Sequence, residues 1–137
     1  MRDPRFNLGL QIAVGVLLVF GALLARRGWF RAHGVCQSIA YGLMLLMTAI
    51  WMAPVFVKFF APNLVSLKVD RTDLIVTAHG ALGTAVILLG AYVILVAATN
   101  VVPARLRFQD YRPWMRTLIG LWWSAILIGI WTYFVAA

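Results

Sequence analysis

Four long apolar stretches, Leu8–Ala25, Gly34–Val57, Leu74–Ala98 and Leu118–Ala137, account for most of the chain and limit what it can fold into. A hydrocarbon core about 30 Å thick is crossed by roughly 20 helical residues, so each stretch is long enough to span a bilayer. Hydrocarbon offers no partner to a backbone N–H or C=O, which leaves helices and closed barrels as spanning structures, and four strands cannot close a barrel. The expected fold class is therefore all-α: an integral membrane four-helix antiparallel bundle forming a single domain over residues 1–137. Composition agrees, with 64% hydrophobic and 12% charged residues, where soluble domains carry about 25% charged. The first stretch follows a basic start and has small residues near Ala25, as a secretory signal does. It is nevertheless longer than the roughly 7–15-residue apolar core of such signals, which favours a retained helix.

The net charge of +8 does not point to nucleic acid. The arginines sit at the ends of apolar runs, at the depth of lipid headgroups, and form no basic face on a water-soluble fold. Cys36 is the only cysteine, which excludes an internal disulfide framework. The first and third connections, Arg26–His33 and Thr99–Thr117, hold Arg26, Arg27, Arg31, Arg105, Arg107, Arg112 and Arg116. The opposite side holds Arg2, Arg5, Lys58, Lys68 and Arg71. Seven basic residues against five place the first and third loops in the cytoplasm and both termini outside. The expected location is the plasma (inner) membrane of a bacterium or archaeon, with the lipid bilayer as surroundings. Pro54 is expected to kink or end the second helix, and Lys58–Asp73 to be a non-helical connection.

Residues able to carry chemistry are few. The sequence has no Gly-rich phosphate loop, Ser/His/Asp set, paired intramembrane carboxylates or CxxC, so no enzymatic activity is expected. A transporter is disfavoured too, because no span holds a charged residue or an inverted repeat. His33 and His79 invite the reading of a bis-histidine haem, but their depths differ by roughly 20–25 Å at 1.5 Å per residue. Axial ligands of one iron stand about 4 Å apart, given metal–nitrogen bonds near 2 Å. Singly, His79 is an ionisable group inside a span, which marks a functional position by default. It shares a helix face with Gly83, Val86 and Gly90, and glycines there leave a groove for a flat macrocycle or for a neighbouring helix. Met52 lies at a similar depth and offers a thioether as a second ligand. A neutral imidazole has one donor and one acceptor nitrogen. Its partners must be sought across the bundle, at Met52, Thr48, Gln11 or a bound metal. His33 and Cys36, at i and i+3, form a soft pair suited to copper(I). Met44 and Met47 follow on the same helix and read as packing. Arg112, Arg116 and Asp110 flank Pro113–Trp114 and suit lipid phosphates or a haem propionate.

The segments ARRGWFRAHGVCQSIAYGLMLL, AHGALGTAVILLGAYVIL and RPWMRTLIGLWWSAILIGIWTYF together resemble a small four-helix membrane family of unknown function, the one that includes the oxidase maturation protein CtaM (YozB). The likeness runs from about Asn7 to Phe134 and rests on His33, His79 and the Pro113–Trp114 pair. It implies a role in maturing haem–copper terminal oxidases, with haem or copper as the cargo. Family members carry a further histidine before the Pro–Trp pair, where this chain reads Phe108, Gln109, Asp110, Tyr111. Three function classes follow: an assembly factor handling haem or copper; a subunit of a respiratory or photosynthetic complex binding a haem or chlorophyll-type pigment through His79; and an accessory bundle packed against a larger electron-transfer complex.

Overall fold

The computed structural model describes residues 3–136. It contains four helices long and apolar enough to cross a membrane: α1 (Pro4–Arg26), α2 (Phe30–Val65), α3 (Arg71–Ala98) and α4 (Tyr111–Ala136). No strand occurs among the described residues. The chain is an all-α, multi-pass membrane bundle, as its apolar runs require.

The helices outrun the apolar stretches at several ends, each for a local reason. α1 begins at Pro4 because the Asp3 side chain accepts the Arg5 N–H at 2.9 Å and proline suits a first-turn position. A tight turn through Gly28, at φ 78, then reverses the chain. Pro54 does not end the second helix, and Lys58–Asp73 is not free of helix. α2 continues to Val65, its turns widened to π geometry at Thr48–Met52 and Phe56–Phe60. Each widened segment lies just before a proline, Pro54 and Pro62. A proline lacks an N–H and crowds the carbonyl four residues back, and a wider turn relieves that crowding. α3 starts at Arg71, before Leu74, because Asp70 and Asp73 form a capping box. The buried Asp73 carboxylate also accepts from Asn63 Nδ2 at 3.1 and 3.2 Å, tying the end of α2 to the start of α3. α4 begins at Tyr111, seven positions before Leu118, with the Asp110 side chain accepting the Arg112 N–H at 3.1 Å. Arg112 and Arg116 are thus helical residues, and only 99–110 connects α3 to α4.

Packing is closest between α1 and α2 and between α3 and α4, while α1 also lies on α4 and α2 touches α3 more lightly. Val14, Leu18, Ala40, Met44, Val86 and Trp122 fill the core. Large apolar residues such as Val16, Phe20, Ile39, Leu88 and Leu127 face outward, where lipid meets them. The α1–α2 seam is polar as well as apolar. His33 Nδ1, Cys36 Sγ and Gln37 Nε2 donate to the carbonyls of Gly21, Leu17 and Leu18 at 2.7, 3.2 and 3.4 Å. Across the lighter α2–α3 contact, Tyr41 donates its hydroxyl to the Ile87 carbonyl at 2.7 Å. Its ring lies where a side chain on Gly90 would be, 2.6 Å from that Cβ position. Gly90→Ala should therefore lower stability by about 1–3 kcal/mol through overpacking against a rigid ring. An unchanged thermal transition in detergent would show that Tyr41 does not hold this seam.

Candidate functional site

The capping box sets α3 so that His79 stands about 12 Å, eight residues, from the helix start. Its Nδ1 lies 2.9 Å from the carbonyl oxygen of Ala125 on α4. A carbonyl oxygen only accepts, so Nδ1 carries the proton and Nε2 keeps its lone pair. Metal-binding histidines are held in this way, the second nitrogen donating to a carbonyl or carboxylate that fixes ring and tautomer. Gly129, one turn beyond Ala125, makes room for the arrangement. A Cβ there would come within 2.8 Å of His79 Cε1 and 3.3 Å of Nδ1, and would overlap Gln11 Oε1.

His79 borders a cavity of about 40 Å³ to which all four helices contribute. α1 supplies Gln11; α2 supplies Met44, Met47, Thr48 and Met52; α3 adds Gly83 and Val86; α4 adds Trp122 and Ala125. The donor atoms are mostly soft: one imidazole and three thioethers, with Thr48 Oγ1 4.0 Å from Met52 Sδ. Met44 and Met47 are buried. The π segment of α2 carries both Thr48 and Met52, and such widened turns recur at functional positions. Gln11 is only 6% exposed and its Oε1 has no protein partner.

The volume limits what the cavity could hold. A cavity of about 40 Å³ holds an ion or about one water, whose share of liquid volume is about 30 Å³. Sites for drug-sized ligands run to roughly 300–1,000 Å³. A haem or chlorophyll-type macrocycle is far larger than this cavity. The two glycines of the His79 face part company: Gly90 receives Tyr41, whereas a Cβ on Gly83 would meet no atom within 4 Å. Gly83→Ala should therefore leave stability unchanged, and a lowered transition temperature would contradict an open cavity wall.

Thr48, Met52 and Gln11, the sequence-derived candidates for partners of His79, line the same cavity, while its hydrogen bond goes to Ala125 instead. Met44 and Met47, which read as packing, line the same cavity. Ala125 and Gly129 carry no signal that sequence alone separates from ordinary helix. His33 and Cys36 lie at the other end of the bundle, each turned to a carbonyl of α1. No group of three or more His, Cys, Asp or Glu residues gathers among the described residues. No family profile, curated protein or solved structure matches this chain.

Proposed function

We propose that this chain binds copper(I) within the membrane, through His79 Nε2 and the thioethers of Met44, Met47 and Met52. On this reading it is a non-enzymatic factor serving the maturation of a haem–copper terminal oxidase. The observation that carries it is the contact of His79 Nδ1 with the Ala125 carbonyl, which leaves Nε2 of this cavity-lining histidine its lone pair beside a wall of methionines. Thioether and imidazole donors favour copper(I) over harder divalent ions. A monovalent ion also suits uncharged ligands, because a buried charge without a counter-charge is costly. Bound copper would supply a transferable soft cation, which the protein's residues would hold. The family resemblance supports the oxidase setting and a large electron-transfer complex as partner. The histidine missing before Pro113 is not needed by a cavity built on His79.

An anaerobic copper(I) titration against a competing chelator tests the reading, with His79→Gln alongside. Binding at one equivalent is expected, and the purified protein should show no Soret band. A Soret band, or no copper bound at chelator concentrations that spare ordinary thioether sites, would overturn it. The proposed location is the plasma membrane of a bacterium or archaeon, with the termini outside. Arg2, one of the five basic residues counted on that side, lies outside the described residues. In a Cys36→Ala background, Ser66→Cys should react with an impermeant thiol reagent on intact cells and Ala104→Cys should not. Both positions are exposed, and the reverse pattern would invert the orientation.

A further inference from the structure

Among the described residues, the buried side-chain polar atoms without a hydrogen-bond partner are Asn7 Oδ1, Gln11 Oε1 and Thr77 Oγ1. All of them lie in the half of the bundle that carries the chain termini. The loop-side half pairs its polar groups: Cys36 with Leu17, Tyr41 with Ile87, Arg107 with Val96 and Thr99. Leaving a buried acceptor unpaired costs about 1–3 kcal/mol, and buried polar atoms without a protein partner are almost always served by ordered water. Such water exchanges with bulk most readily where a polar surface continues to the outside.

Asn7 and Gln11 provide one. They are four residues apart on α1, so their carboxamides stack along one face. Asn7 is in the first turns of a helix that begins at Pro4, and Gln11 reaches the His79 cavity. Beyond Gln11 the same face continues as Val14 and Leu18, both essentially unexposed and apolar. The polar surface therefore leads in from the end with the termini and stops at the cavity. We propose that a hydrated path runs from the first turns of α1 past Asn7 and Gln11 to His79, and that a monovalent soft cation enters and leaves the cavity by it. The part concerning the cation rests on the copper(I) reading above; the hydration of the path does not.

The test uses the full chain in oriented proteoliposomes with Cys36→Ala as background. Asn7→Cys, Gln11→Cys and the comparator Leu18→Cys are each exposed to a small cationic methanethiosulfonate from the side of the termini. The reactive species is the thiolate, and each unit by which an apolar site raises a thiol pKa removes about tenfold of it. Asn7→Cys and Gln11→Cys should thus react at least about tenfold faster than Leu18→Cys. Equal rates, or reaction only from the loop side, would overturn the path. The second arm follows uptake of silver(I), a redox-inert stand-in for copper(I). Asn7→Leu should slow uptake several-fold and leave equilibrium affinity unchanged, since Asn7 does not line the cavity. Unchanged uptake kinetics would contradict the path. Should the parent chain bind no silver, the copper(I) reading fails, and the thiol labelling still decides the path.

Discussion

His79→Gln should yield a bundle that inserts and unfolds like the parent and that, on the copper(I) reading, no longer holds the ion. A glutamine amide N–H can replace Nδ1–H as donor to the Ala125 carbonyl, so the loss in stability stays within about 1 kcal/mol. What the amide lacks is a nitrogen lone pair. Altering even the groups that merely orient a ligand costs about 10–100-fold in metal affinity, and removing the imidazole ligand itself costs at least that much. Competition titration and thermal unfolding, run on the same preparation, separate the two effects. Retained affinity in the variant would remove His79 from the ligand set. His79→Ala is a weaker experiment, because it deletes the cross-helix hydrogen bond together with the ligand.

Gly129→Ala should act on the same site without replacing any proposed ligand. The added methyl would press on His79 Cε1 at 2.8 Å and on Gln11 Oε1. Gln11 has a flexible end that can turn aside, whereas the imidazole is held by Ala125 and must rotate or shift as a ring. The expected result is a destabilisation of about 1–3 kcal/mol and a loss of copper(I) affinity of about 10–100-fold, as for other supports of a metal-bound histidine. A variant with parental affinity would mean that the close approach at Gly129 does not set the position of His79. Gly120→Ala on the same helix is the control, since nothing lies within 4 Å of its Cβ position.

The fold class was legible because spanning a bilayer admits so few solutions: four apolar runs of sufficient length leave little but four helices. Helix ends were less legible. The extension of α2 through Pro54 and Pro62 depends on two widened turns, each just before a proline, a residue that more often ends a helix than passes through one. The start of α3 was in principle readable from Asp70 and Asp73, a three-residue spacing that satisfies two backbone N–H groups reciprocally. At the site, the demand that His79 find partners across the bundle pointed to Thr48, Met52 and Gln11, which line its cavity, while its hydrogen bond goes to Ala125. Its donor bond to Ala125 was not foreseeable, because any helix carbonyl is chemically the same until the packing is known. Met44 and Met47 illustrate the remaining difficulty: a thioether that packs and one that waits for a metal differ only in what shares the cavity. Gly83 and Gly90, on one face of one helix, have different roles for a reason that lies on α2, in the position of Tyr41.

The central claim is that one imidazole nitrogen and a set of thioethers hold copper(I) inside the bundle. X-ray absorption of the protein loaded anaerobically with one equivalent of copper(I) reads that ligand set directly. The account predicts a copper(I) edge with sulfur and a single imidazole nitrogen in the coordination shell, unchanged by Cys36→Ala and stripped of nitrogen by His79→Gln. A shell that collapses in Cys36→Ala, or one that keeps its imidazole in His79→Gln, would contradict it.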